Sequence, residues 1–101
     1  MSAVIINNQN FEMEVINSEK KVLLDFWAPW CGPCQMVLPI VEEIAGERSD
    51  IKVCKVNVDE NPELAKRFRV MSIPTLVVME HGEIVKRSVG AKQKDDILAM
   101  L

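Results

Sequence analysis

Residues 22–27 read Val-Leu-Leu-Asp-Phe-Trp, apolar on both of the alternating faces a strand presents, with one acid, Asp25, as the exception. A strand with a single covered face alternates apolar with polar. One that does not alternate must be roofed on both sides, as happens in a sheet with helices packed against each face. An α/β architecture built around residues 22–27 is therefore the starting expectation. The chain has 101 residues, enough for one such core and too few for two, so a single domain over residues 1–101 is expected.

The remaining elements follow in order along the chain. Val4–Ile6 is a short β-branched run, and Asn8 is placed to cap a helix whose Phe11 and Val15 share a face at i, i+4 spacing. From Pro33 the pairs Met36/Val37, Ile40/Val41 and Ile44/Ala45 recur every four residues, predicting a long amphipathic helix that ends near Gly46 and Arg48. Residues 51–58 form a second β-branched run. Asn61-Pro62 then opens a short helix through Phe68, with Asn61 as cap and Pro62 at its first position. Strands at 75–80 and 83–88 are separated only by His81-Gly82, a tight hairpin in which Gly82 supplies positive φ. A stripe of Ile97, Leu98 and Leu101 predicts a C-terminal helix. The sum is β-α-β-α-β-α-β-β-α, a central mixed five-stranded sheet flanked by four helices.

Composition excludes several functions. A formal net charge of −3, without any basic run interleaved with aromatics, gives no pull toward nucleic acid. No stretch approaches the roughly 20 apolar residues of a membrane helix, and Met1-Ser2-Ala3-Val4 lacks the basic-then-apolar layout of a secretory signal. Three cysteines would strand one in a disulfide framework, so a reducing, cytoplasmic setting is expected.

Sheets of this kind carry their sites beyond the carboxyl ends of the parallel strands. Directly after residues 22–27 the chain reads Ala28-Pro29-Trp30-Cys31-Gly32-Pro33-Cys34, two cysteines three apart across a loop-to-helix junction. Cys31 is placed where unpaired backbone N–H groups and the positive end of the helix dipole favour a thiolate, and Cys34, a turn further on, is within reach of a disulfide. One sulfur attacks and the other resolves. Gly32 is expected to permit a tight backbone turn, and Pro33 gives up an N–H that has no helical acceptor in the first turn.

Taken with Asp25, Pro39, Lys55, the Ile73-Pro74-Thr75 step and Gly90, the Trp30-Cys31-Gly32-Pro33-Cys34 motif resembles the thioredoxin family over essentially the whole chain. The resemblance implies a thioredoxin fold and a general protein-disulfide reductase. Its nucleophile would be Cys31 and its buried resolving thiol Cys34, joined in turn to a client through a mixed disulfide. It implies that Asp25 lies beneath the disulfide and exchanges a proton with Cys34 through water, with Lys55 as the ion-pair partner of Asp25. It further implies a cis bond before Pro74, which sets the Ile73 backbone against the disulfide, and a flat apolar client surface of Trp30, Ile73, Val89 and Gly90. Trp27 would pack behind the motif. The expected partners are oxidised client proteins and a thioredoxin reductase; the protein would act as a monomer without a bound cofactor, its own disulfide being the redox centre.

Some positions depart from the family's most familiar pattern: Gln35 after the second cysteine, Met71-Ser72 before Ile73, and Met79. They bear on client preference through charge and shape beside the disulfide. Cys54, in a β run, reads as a small buried apolar residue, and His81 as a solvated turn residue. Cys31, Cys34, Cys54 and His81 match a Cys₃His zinc site in number but not in placement. A redox-silent clamp would not require both cysteines, Asp25 and Lys55. An oxidase or isomerase is disfavoured because Gly32-Pro33 puts no histidine beside Cys31.

Overall fold

The computed structural model describes residues 2–101. Residues 22–27 lie at the centre of the sheet as expected. Strand β2 (Lys21–Trp27) pairs in parallel with β3 (Ile51–Asn57) and antiparallel with β4 (Thr75–Glu80). Outside these, β1 (Val4–Ile5) runs parallel to β3 and β5 (Glu83–Val89) antiparallel to β4, which gives the order β1-β3-β2-β4-β5. Among the described residues, this mixed five-stranded sheet with four helical segments is the thioredoxin fold that the resemblance implied.

The lack of alternation in β2 has its predicted cause: a separate apolar cluster covers each face. Leu23 joins Val53, Leu76 and Val78 beneath Val37, Val41 and Ile44 of α1 (Gly32–Glu47), with Ile97 of α3 (Lys94–Leu98) closing that side. Leu24 and Phe26 face the other way, toward Phe11, Val15 and Leu64 and Phe68 of α2 (Pro62–Arg67) and the residue after it. On that side Phe68 packs edge-on to Phe11 at 5.7 Å between ring centroids and tilted against Phe26 at 5.2 Å.

Local details differ from expectation for identifiable reasons. The first helical segment is a single wide π-type turn, Glu12–Ile16, closed by the Asn17 N–H donating to the Glu12 carbonyl. Its entry is organised by Asn7 and not Asn8. The Asn7 Oδ1 accepts from the Gln9 and Asn10 N–H groups at 2.9 and 3.0 Å, because Asn7 is the residue at the bend, while the Asn8 side chain points outward to Glu63. Asn61 stands at the cap position of α2, yet its buried amide turns inward and donates to the carbonyls of Ile6 and Asn57 at 3.4 and 3.1 Å. A buried amide is held by its unsatisfied neighbours, and here those were carbonyls. At the hairpin, His81 (φ 52°) joins Gly82 (φ 78°) in the left-handed region, the pair of conformations a two-residue turn needs to match the strand twist.

Trp27 and Asn57 lie opposite each other at the ends of the two parallel strands, and the Val58 N–H donates to the Trp27 carbonyl at 2.9 Å. The segments 28–31 and 58–61 therefore leave the same end of the sheet side by side.

Candidate active site

Cys31 is the N-cap of α1, with extended backbone (φ −89°, ψ 109°), and its sulfur accepts the Cys34 N–H at 3.2 Å. The helix thus begins with a sulfur in the place usually held by a serine or aspartate oxygen, at the positive end of the dipole. Cys31 and Cys34 form a disulfide, with Cα atoms 5.2 Å apart; Cys34 is fully buried and Cys31 nearly so. Pro33 lies in the first helical turn, where its missing N–H is harmless. Gly32 departs from expectation. Its φ is not positive, and a Cβ built there meets nothing within 4 Å, so no tight turn requires the glycine. Gly32 is itself exposed.

The Ile73–Pro74 bond is cis, and the Ile73 carbonyl oxygen lies 3.7 Å from the Cys31 sulfur. The loop is pinned from both ends: the Thr75 hydroxyl donates to the Ser72 carbonyl at 2.6 Å, and the Gly90 N–H donates to the Pro74 carbonyl at 2.8 Å. Gly90 holds φ +99°, a left-handed value that disfavours any side chain. Val89 is exposed on β5, opposite Thr75.

Trp30 is 70% exposed, and its indole Nε1 donates to Asp59 Oδ2 at 2.9 Å. It forms one wall of a groove of about 730 Å³ whose other lining residues include Val58, Ala65, Val70, Met71 and Ile73, with Lys66 and Arg69 adding positive charge. Of the four residues expected to make a flat client surface, Trp30 and Ile73 line this groove; Val89 and Gly90 do not, because they follow the edge strand. Trp27 is half-buried against the disulfide, as expected for a packing residue.

Asp25 is fully buried among apolar neighbours, and neither of its carboxyl oxygens has a hydrogen-bond partner. Desolvation raises its pKa from 3.8 to about 7, opposed by the positive charge of Lys55. The expected ion pair is not formed. Lys55 lies directly across from Asp25 in the β2–β3 register, but its Nζ bonds Glu42 Oε2 on α1 at 3.0 Å. A partly hydrated carboxylate at the protein surface is a better partner for an ammonium than one that must be ionised in an apolar interior. Glu42 Oε1 accepts the Ala3 N–H at 2.7 Å, and these donors hold the Glu42 carboxyl below its usual range.

Sequence reasoning missed Asp59 and Glu42. Asp59 had a usable signal, since segments following two adjacent parallel strands must emerge together. Glu42 had a weaker one, standing two helical turns after Cys34 on α1.

Cys54 is buried on β3, where desolvation pushes its thiol up to about 12. His81 is at the exposed hairpin tip. Among the described residues no group of three or more His, Cys, Asp or Glu side chains could hold a metal ion, and no helix is long and apolar enough to cross a membrane.

Residues 2–101 match the thioredoxin family model. A thioredoxin of Mycobacterium tuberculosis (strain ATCC 25618 / H37Rv) is 50% identical over 101 residues, spanning 99% of this chain and 87% of its own length. One from Bacillus subtilis (strain 168) is 51% identical over 96 residues, 94% of this chain and 90% of its own length. A bifunctional thioredoxin reductase/thioredoxin of Mycobacterium leprae is 51% identical over 94 residues, 92% of this chain but 20% of that protein. With the Cys31–Cys34 disulfide at the head of α1 and a family match running the described length, the chain belongs to the thioredoxin family and is a thiol–disulfide oxidoreductase that reduces protein disulfides.

Proposed function

We propose that Cys31 is the attacking thiolate and Cys34 the resolving thiol of a general protein-disulfide reductase acting as a single domain over residues 1–101. The observation that carries the assignment is the cap geometry: the Cys31 sulfur already accepts the Cys34 N–H, so a negative charge on it is met by a donor and a helix dipole. Cys34, with no exposed surface, is reached by a client only through Cys31.

The reaction balances in two exchanges. The Cys31 thiolate attacks one sulfur of a client disulfide, forming the Cys31–client bond as the client S–S bond breaks and its other sulfur leaves as a thiolate. The Cys34 thiol passes its proton to Asp25, whose carboxylate form is accessible at a working pH near its pKa of about 7. The Cys34 thiolate then attacks the Cys31 sulfur; the Cys31–Cys34 bond forms and the second client sulfur leaves reduced. Two electrons have moved to the client, and a reductase must return them.

Trp30, Gly32, Pro33, Ile73 and Pro74 form the docking rim, with Val89 and Gly90 supporting the Pro74 loop from the edge strand. Lys55 acts on Asp25 through its field. Lys66 and Arg69 on the groove favour clients that carry acidic side chains near the cystine. The electron donor is a thioredoxin reductase, a reading supported by the Mycobacterium leprae relative whose name joins the two activities in one chain. The protein works as a cytoplasmic monomer and needs no bound cofactor, its own dithiol carrying the electrons.

Trapping tests the assignment directly. Cys34→Ser should accumulate a stable mixed disulfide with an oxidised client, and Cys31→Ser should form none. Trapping by Cys31→Ser in place of Cys34→Ser would reverse the roles. For the reductant assignment, a potential near the value of about −270 mV known for thioredoxins themselves is expected, and one between about −180 and −120 mV would indicate an isomerase or oxidase.

A further inference from the structure

Lys55 is placed to neutralise Asp25 and does not. Opposite residues in adjacent strands send their side chains off the same face of the sheet, with backbones roughly 5 Å apart, well within the reach of a lysine. That face carries Leu23 and Val53 beneath α1, so Asp25 and Lys55 both look toward the helix that bears Cys34. The Lys55 ammonium nevertheless lies 3.0 Å from Glu42 Oε2, and both Asp25 oxygens are without a hydrogen-bond partner. Glu42 is itself fixed. Its other oxygen takes the Ala3 N–H at 2.7 Å, so each carboxyl oxygen has one donor and the side chain spans the start of the chain and β3.

The groups around Asp25 are few. Lys55 faces it from β3; β4 places the apolar Leu76 opposite; α1 contributes Cys34, Val37 and Val41 to the same side. Among the described residues, Lys55 is the charged group whose field acts on Asp25. Whatever sets the position of that ammonium therefore sets the electrostatics of the buried acid.

We propose that Glu42 is a positioning residue for the reaction: by holding the Lys55 ammonium against α1, it keeps Lys55 from locking Asp25 as a permanent carboxylate and leaves Asp25 free to take and return the Cys34 proton. The inference rests on the proton role assigned to Asp25 above. Without the Glu42 charge, Lys55 loses its surface partner and is free to turn toward Asp25, which favours the ionised acid.

The test is a carbon-13 NMR titration of the Asp25 carboxyl in the full-length wild type, Glu42→Gln, Lys55→Gln and the double variant. The pH profile of mixed-disulfide resolution is measured in parallel. Amide spectra confirm that each variant is folded. Glu42→Gln should lower the Asp25 midpoint by about one unit, the low end of what an opposite charge at contact range produces, and shift the resolution profile by the same amount. In the Lys55→Gln background the same substitution should change neither, since the effect is routed through Lys55. An unchanged midpoint in Glu42→Gln, or an equal shift with and without Lys55, overturns the role of Glu42. A wild-type midpoint near the ordinary carboxylate value overturns the proton role of Asp25 and, with it, this inference.

Discussion

An acid among apolar side chains makes the stability of this protein depend on pH in a direction opposite to most carboxylates. Asp25 titrates near 7 when folded and near 3.8 when unfolded, so between those values the folded state holds a proton that the unfolded state has lost. Stability is therefore greatest below the unfolded value and falls as pH rises toward 7. Asp25→Asn, which cannot ionise, should show little of this slope. Its advantage over the wild type should grow from near zero around pH 4 to roughly 2–4 kcal/mol at pH 8. Chemical denaturation at the two pH values measures it, and a pH-independent difference would contradict the burial of a titrating acid. At this scale the sequence was legible where one residue conflicts with its own strand, as Asp25 does. It was illegible where a partner comes from another element. Lys55 was assigned to Asp25 through the family resemblance, and Glu42, on a helix crossing above, captured it.

At the scale of elements, α1 joins chemistry to packing: its first turn carries the cysteines and its buried stripe of Val37, Val41 and Ile44 anchors it to the sheet. Gly32 in that first turn has ordinary φ and open space around it. Gly32→Ala should thus leave stability unchanged or raise it by up to about 1 kcal/mol, through the better helix propensity of alanine. The added methyl stands exposed between the two cysteines in sequence, so reduction of folded protein clients should slow several-fold while reduction of a small disulfide changes little. Equal loss on both substrates would mean that the methyl perturbs the cysteines themselves. Helix α1 was readable from its repeated apolar spacing, β2 from its unbroken apolar run, and β4 and β5 from the two-residue turn between them. The π-type turn at Glu12–Ile16 and the inward-facing amide of Asn61 were not, since both depend on which carbonyls need donors after the chain has closed. The groove beside Trp30 was half legible: Trp30 and Ile73 belong to the motif and its loop, whereas Val58, Ala65 and Val70 enter through α2 and its flanks.

For the whole molecule, the sheet is sealed by two apolar clusters, and β3 passes through the middle of both, held between β1 and β2. Its Cys54 thiol has no exposed surface and at about 12 is hardly ionised at neutral pH. A thiol reagent should therefore label Cys54 only when the sheet opens, and the labelling rate should rise with denaturant along the global unfolding curve. Rapid labelling in native buffer would show that β3 opens by itself.

Cys54 also bears on how long a preparation keeps. Each excursion to the open chain restores ordinary acidity to that sulfur in the same molecule as a disulfide it can attack, so the oxidised protein carries the means of its own scrambling. Heat inactivation should then be faster and less reversible for the oxidised form than for the dithiol, and replacing Cys54 by valine or alanine should lengthen the shelf life of the oxidised form at little expense in activity.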